Sequence, residues 1–447
     1  VEKDIHIYHT NDLHSHFDYW PRIREFLKQR KRMHQEAGEE MIVIDVGDHI
    51  DRFHPYTEGT YGEGNIAILN DAGYDYGVIG NNEGITMPHD KLDSLYSKAE
   101  FKVLTANLFQ LDGNRPSWAL PSLIHSCQNG LKIGFIGVTA SYPNYYKVLD
   151  WEITDPFEAV RAEMARLQGQ ADSLVLLSHL GIFDDEKMAS RFPRLDVILG
   201  AHTHHVLPEG KQMDHTLICA AGKYGYYIGH VVLSAAGSRA FVYETPSLPP
   251  AEGEKEFSEH LYSLGKRELS IPSAELPFEL KTDLYEPSQL PQMLCEGLRE
   301  WCGADCAFLN AGLILDSLPK GTVTKFDIHR ICPHPINPCI ADIKGSELKE
   351  ILEISRDESW PGMQIKGLGF RGTIMGRMLY DSIEFKNEKI LIQGALLNPE
   401  KMYKLAIPDM FTFGRYFPSL KHLSSKRYLM PEFLRDVLES KLKKISL

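Results

Sequence analysis

The sequence holds no run of about 18 apolar residues, so no helix is expected to span a bilayer. Basic residues are outnumbered, 48 Lys and Arg against 61 Asp and Glu, for a formal net charge of −13. That balance speaks against a nucleic-acid duplex or an anionic membrane as partner, because either would be repelled. Small phosphates stay admissible, since bound divalent cations reverse the field locally. Cysteine is scarce and odd in number: Cys127, Cys219, Cys295, Cys302, Cys306, Cys332 and Cys339. They lack the short paired spacings of a zinc site, and buried free thiols in a reducing compartment are expected. Val1-Glu2-Lys3-Asp4 lead directly into a strand pattern with no leader before it. The chain is therefore read as cytoplasmic, with secretion after removal of a signal peptide as the alternative. Internal repeats and low-complexity tracts are also missing. What is present is ample apolar material, 43% of 447 residues, enough to bury two cores rather than one.

Residues 5–17 read Ile-His-Ile-Tyr-His-Thr-Asn-Asp-Leu-His-Ser-His-Phe. Ile5 and Ile7 alternate with His6 and Tyr8 as in a strand, and the polarity then changes to Asn11, Asp12, His14 and His16. Asp12 and His14 are two residues apart, so in an extended backbone both project to one side and can share a divalent cation. The same event recurs four times. Residues 41–46 run into Gly47-Asp48-His49, residues 76–79 into Gly80-Asn81-Asn82-Glu83, residues 173–177 into Ser178-His179, and residues 196–199 into Gly200-Ala201-His202-Thr203-His204. In an open α/β sheet the strand ends are where ligands bind, because the turns there carry side chains into a common crevice. Asp12, His14, Asp48, Asn81, His179, His202 and His204 exceed one ion's usual complement of protein ligands and suit a two-metal site.

In that order, His9-Thr10-Asn11-Asp12-Leu13-His14, Gly47-Asp48, Gly80-Asn81-x-Glu83, Ser178-His179 and His202-Thr203-His204 resemble the calcineurin-like metallophosphatases, in particular the 5′-nucleotidase and UDP-sugar hydrolase branch. Asn310-Ala311-Gly312, Gly321-Thr322-Val323-Thr324, Cys332-Pro333-His334 and Lys344-Gly345-Ser346-Glu347-Leu348 resemble that family's second domain. The resemblance implies an N-terminal α/β/β/α sandwich and a smaller mixed α/β substrate domain. It implies two divalent ions, with Mn, Zn and Fe all compatible with the ligands, bridged by Asp48. Asp12, His14 and His204 would complete one site, and Asn81, His179 and His202 the other. A hydroxide held between the ions would attack phosphorus, and the second domain would hold the leaving group. A clamp of two rings for the base would use His334 and, as the nearest match, Phe411, with Asn310 nearby.

Along the chain, residues 21–33 carry Ile23, Phe26, Leu27 and Met33 at helical spacing, with Pro21 at the start and Lys28, Arg30, Lys31 and Arg32 on a solvated face. Helices are also expected over 65–72, from Pro88 to 98, and after Asp155-Pro156. Strands are expected over 101–106 and 131–138, and those at 216–221 and 227–233 complete the sheet. Residues 245–254, with three prolines, a glycine and acidic residues, describe a linker. The expected layout is a metallophosphatase domain at 1–244, a linker and bridging helix at 245–270, and a substrate domain at 271–447, which mixes short strands with helices at 287–301 and 346–354.

Four positions depart from the family pattern. Relatives have histidine where Asn82 stands and its orienting aspartate where Ile85 stands; Leu315 replaces an arginine; and an aspartate in a glycine pair is missing around Phe413-Gly414-Arg415. Arg371 and Arg377, flanking the glycine-rich residues 367–376, are candidate phosphate contacts in compensation. Asn82 and Asp48 are then the residues at the catalytic positions. The reading is a metal-dependent phosphohydrolase of nucleotides or nucleotide sugars, favouring phosphoanhydrides. The alternative is a metal-bound, catalytically weak nucleotide-binding relative. His49, His54 and His89 are candidates to replace the missing acid.

Overall fold

Every residue of the strand Ile5–Thr10 is buried, so neither face is free to meet water. Ile5 and Ile7 join one apolar cluster with Phe135, Val175 and Leu177, which belong to a second sheet. On the opposite face Tyr8 meets Phe26 and His34 of the helix Trp20–Ala37. Alternation along one strand thus produces a layered arrangement, helix against sheet against sheet. The computed structural model describes residues 4–445 apart from 235–236, and the chain divides into two units, residues 1–265 and 266–447.

In the first unit a seven-stranded sheet runs in the order Gly237–Glu244, Tyr227–Ser234, Ile5–Thr10, Glu40–Asp45, Tyr76–Gly77, Lys102–Leu104, Ala119–Leu120. A six-stranded sheet runs Lys211–Met213, Thr216–Ala220, Val197–Gly200, Ser173–His179, Lys132–Thr139, Ser122–Ser126. The pairs that matter for the site are parallel: Ile5–Thr10 with Glu40–Asp45, that strand with Tyr76–Gly77, and Ser173–His179 with Val197–Gly200. Parallel pairing puts the C-terminal ends of these strands side by side, and each runs directly into candidate ligands. The outer face of the six-stranded sheet packs Ile136, Val138, Leu176 and Ile198 against Val160, Leu167, Met188 and Phe192 of the helices Pro156–Leu167 and Ile182–Arg191 and the turn that follows. The α/β/β/α sandwich is therefore the observed fold.

The second unit is mixed α/β. Its five-stranded sheet runs Met378–Asp381, Cys306–Asn310, Met402–Pro408, Pro338–Lys344, Lys426–Tyr428, with the helices Gln289–Cys302, Gly345–Ser355 and Leu434–Ile445 in the same unit. The last of these has no counterpart in the sequence reading. The strand Gly237–Glu244 was also unread, and it, not Tyr227–Ser234, ends the seven-stranded sheet.

The proline-rich stretch after it differs from a free linker. Thr245–Ser247 forms a 3-10 turn with Thr245 buried. Arg22 grips the stretch with a bidentate pair to Glu254 at 2.6 and 2.7 Å and donates to the carbonyls of Pro246 and Leu248. The helix Glu254–Glu268 then carries the chain across the boundary. All seven cysteines are buried and unpaired, and no helix among the described residues is long and apolar enough to cross a membrane.

Candidate dinuclear metal centre

The turns that follow the strands are held in register by the backbone. Asp12 N–H donates to Gly47 O at 2.9 Å, His14 N–H to Asp48 O at 2.8 Å, and Ser15 N–H to His49 O at 2.9 Å. Asp12, His14 and Asp48 in these turns, and His202 and His204 in the turn after Val197–Gly200, all adopt positive φ, between 49° and 71°. Side chains rarely accept that conformation, and its concentration at five candidate ligands marks a built site. Gly47, at φ +86°, lies under it. A Cβ there would stand 2.5 Å from Gly80 N and 2.8 Å from His179 Nδ1, so only glycine lets the two turns close on each other.

Two clusters of ligand atoms result, Asp12 with His14 and His204, and Asp48 with His179 and His202, each with its atoms within 4.8 Å of one another. Asp48 Oδ2 faces both, 3.4 Å from His179 Nε2 and 3.7 Å from His14 Nε2. Its other oxygen, Oδ1, accepts the Asn82 N–H at 2.7 Å. Asp12 Oδ1 also lies near both, 3.7 Å from His14 Nε2 and 3.9 Å from His179 Nε2, so the two carboxylates stand between the clusters. Asp12 Oδ1 lies 3.4 Å from His204 Nε2, and His14 Nε2 lies 3.3 Å from His204 Nε2.

Outer contacts orient these groups. Val46 O accepts from His179 Nδ1 at 2.7 Å, which directs Nε2 inward. Asn11 Nδ2 donates to Asp12 Oδ2 at 2.7 Å and to Gly222 O at 2.8 Å. Glu83 accepts from the backbone N–H of Asp48, Ile50 and Gly80, tying two turns together. Tyr142 Oη lies 3.2 Å from His202 Nε2. The motif Gly80-Asn81-x-Glu83 announces Glu83; nothing in the sequence announces Tyr142.

The donor set fits cations on two observations. His179 Nε2 and Asn81 Oδ1 are buried atoms without a hydrogen-bond partner, and an imidazole nitrogen and an amide oxygen are both donors a divalent ion satisfies. The field agrees: burial opposes charge on His179, yet Asp48 and Asp12 outweigh it and raise its pKa to about 10. The pocket is anionic and favours positive charge.

The Asn82 side chain is engaged inside the turn. It is 6% exposed, its Nδ2 donates to Ile50 O at 3.0 Å and lies 3.0 Å from His14 Nδ1, and its Oδ1 accepts from Asn81 Nδ2. The amide is spent on packing the turn. The three histidines considered as replacements are engaged as well. His49 is 2% exposed, bonded to Asn65 and pushed down to about 3 by burial. His54 caps the helix Pro55–Thr60, and His89 stacks on Trp151 at 4.1 Å.

In the second unit the expected base clamp is not open. His334 is 0% exposed, stacked on Phe370 at 4.9 Å and 4°, with Nε2 3.1 Å from Leu313 O and Nδ1 accepting the Arg371 N–H. Phe411, also 0% exposed, stacks on Phe308 at 5.5 Å inside the core. Asn310 is buried and donates to Met375 O at 2.8 Å. Arg371 is half-buried beside Phe370 O. Arg377 lines a cavity of about 640 Å³ with Phe278, Met293, Glu296 and Tyr380, and Arg371 is not among the residues lining it. The structure therefore brings six of the seven metal candidates into two clusters, with Asn81 in the turn whose next residue donates its N–H to Asp48, and leaves the substrate candidates dispersed in the second unit.

Residues 5–206 match the calcineurin-like phosphoesterase family model, and residues 270–421 match the 5′-nucleotidase C-terminal domain. The chain is 44% identical over 460 residues to the uncharacterized metallophosphoesterase YunD of Bacillus subtilis, covering 99% of this chain and 100% of that protein. It is 24% identical to protein UshA of Yersinia enterocolitica, covering 92% and 86%. Among solved structures, a putative 5′-nucleotidase from Staphylococcus aureus superposes with a TM-score of 0.71 at 17% identity, covering 99% and 98%. The chain belongs to the calcineurin-like phosphoesterases, in the two-domain form that carries a 5′-nucleotidase C-terminal domain. It is a hydrolase of phosphoester bonds.

Proposed function

We propose that this hydrolase cleaves nucleotides or nucleotide sugars and favours phosphoanhydride over 5′-monoester bonds. The observation that carries the reading is the pair of adjoining ligand clusters, with Asp48 Oδ2 standing between His179 of one and His14 of the other. Asp12, His14 and His204 would hold one divalent ion, Asn81, His179 and His202 the other, with Asp48 common to both. When bound, such a pair of ions supplies a nucleophilic water at neutral pH and neutralises charge on the phosphoryl oxygens.

The preference follows from this chain's own side chains. An amide cannot deliver a proton at neutral pH, and the Asn82 amide is already bonded to Ile50 O. His49, His54 and His89 are held by other contacts. A leaving group must then depart without general-acid help, which favours one that is already stable as an anion. The phosphate leaving from an anhydride meets that requirement better than a ribose alkoxide. The seven buried, unpaired thiols support work in a reducing compartment.

The test is a hydrolysis screen over UDP-glucose, nucleoside diphosphates and AMP with Mn²⁺, Zn²⁺ and Fe²⁺. Higher kcat/KM for UDP-glucose than for AMP is the expected result. A preference for AMP refutes the leaving-group argument. Turnover no greater than in Asp48→Asn, with metal bound and nucleotide retained, would instead establish the catalytically weak nucleotide-binding relative.

A further inference from the structure

A second histidine cluster lies on the helix side of the seven-stranded sheet, away from the strand ends that carry the ligands described above. His6 comes from the strand Ile5–Thr10, His34 from the last turn of the helix Trp20–Ala37, and His230 from the strand Tyr227–Ser234. They are 9%, 3% and 6% exposed, and one ring nitrogen of each lies within 4.8 Å of the others.

The pair from the two strands is already at ligand spacing. His6 Nδ1 and His230 Nε2 are 3.0 Å apart with ring centroids 5.2 Å apart. His14 and His204 of the dinuclear centre show 3.3 and 5.3 Å. Nitrogens at zinc distance in a tetrahedral shell lie roughly 3.3 Å apart. Two of the remaining ring nitrogens have hydrogen-bond partners, and His6 Nε2 lies near the Glu39 carboxylate without a hydrogen bond. Glu39 Oε2 lies 2.9 Å from His34 Nδ1 and 3.3 Å from His6 Nε2, and Tyr243 Oη lies 3.4 Å from His230 Nδ1. A carboxylate on the far nitrogen is the arrangement that orients a ligating imidazole. Glu39, 32% exposed, provides an opening to solvent.

We propose that His6, His34 and His230 form a mononuclear site for a divalent transition metal of the zinc class, a structural cation that ties the helix Trp20–Ala37 to two strands of the sheet. His34 now stacks on His6 with centroids 3.9 Å apart, its Nε2 3.0 Å from Tyr8 Oη. Ligation turns the His34 ring out of that stack and leaves Glu39 on its outer nitrogen. The site does not touch the catalytic ligands, so its loss leaves basal turnover in place.

The experiment uses the full chain, stripped with chelator, loaded with Co²⁺ and desalted. Elemental analysis should give three ions per chain in the wild type, two in His230→Gln and in His6→Gln, and one in the double variant Asp12→Ala, Asp48→Ala. The ion left in that double variant should show the strong visible band of four-coordinate cobalt and lose it on adding His230→Gln. Two ions in the wild type, unchanged by His230→Gln, overturn the proposal and leave the cluster a hydrogen-bonded core. One ion in the wild type, lost in His230→Gln, would refute the dinuclear reading and support this site. If His230→Gln and His6→Gln do not fold, as judged by circular dichroism, the Asp12→Ala, Asp48→Ala protein decides alone: one bound cobalt supports the site and none refutes it.

Discussion

The double variant Asn82→His, Ile85→Asp tests the chemistry beside the metal candidates, where the sequence reading expects a histidine and its orienting aspartate. The wild-type amide donates to Ile50 O and sits 3.0 Å from His14 Nδ1. Replacing it sacrifices about 1 kcal/mol of net hydrogen bonding and leaves a buried carbonyl to find a new partner. Ile85, half-buried at the end of the same short helix, is free of that constraint. Against this modest cost in stability, a positioned general acid contributes about 10²- to 10⁴-fold, or roughly 3 to 5 kcal/mol of barrier. The gain must be uneven. Expulsion of a ribose alkoxide from AMP draws on nearly all of it, whereas a departing nucleotide phosphate draws on little. Steady-state kcat/KM for AMP should therefore rise at least about tenfold more than that for UDP-glucose, even if half the free energy is lost to imperfect placement. Equal rises for both substrates would refute the leaving-group reasoning, as would a wild type that already prefers AMP.

Four further outcomes are expected. Asp48→Ala should lose both ions of the dinuclear centre and His14→Ala should weaken one preferentially, measured by elemental analysis, because Asp48 Oδ2 stands between His179 of one cluster and His14 of the other, whereas the His14 ring belongs to one cluster. Gly47→Ala should cost about 1–2 kcal/mol in left-handed strain and, since its Cβ would press on Gly80 N and His179 Nδ1, also reduce metal retention; unchanged retention would show that the turns can part. Arg22→Ala should speed limited proteolysis within residues 245–254, since it removes the grip on Glu254, Pro246 and Leu248. Glu300, hydrogen-bonded by Lys441 at 2.6 Å and Lys444 at 2.8 Å, has its pKa lowered to about 2 by those two lysines. Its stabilisation is complete above the ordinary glutamate pKa and is lost as pH falls through about 2. Glu300→Gln should flatten that acid limb in urea titrations while changing stability at pH 7 by no more than about 1 kcal/mol, because the pair is partly solvated.

The metal centre was legible because its signal is local and repeated. An apolar run ending in Asp, His or Asn needs no tertiary knowledge to be seen, and five such runs in one α/β chain must converge if their strands are parallel. What could not be read is how the turns achieve convergence. The positive φ of Asp12, His14 and Asp48 accompanies cross-turn bonds such as His14 N–H to Asp48 O, contacts between residues 34 apart in sequence. Tyr142 was invisible for the same reason, since a lone tyrosine after a strand carries no mark of the His202 ring beside it. The strand Gly237–Glu244 escaped notice because it is an edge strand with mostly exposed or half-exposed residues, leaving little apolar alternation to detect.

Recognition in the second unit is a different case, because aromatic residues carry the same sequence signal whether they pack or bind. Phe411 and His334 stand near family positions, yet each ring has found a partner inside the protein, Phe308 for one and Phe370 for the other. The Phe370–His334 stack is fixed further by the Arg371 N–H on His334 Nδ1 and by Gly369, where any Cβ would stand 2.6 Å from Pro335 O. Opening His334 to a ligand would therefore require moving the whole turn around Gly369, not rotating one side chain. The exposed apolar groups of this region are instead Leu315, at 43%, and Phe413, at 37%. Both lie where the sequence had marked the loss of a charged family residue. Each of these apolar side chains stands beside charged neighbours, Leu315 next to the Asp316–Arg330 pair and Phe413 two residues from Arg415.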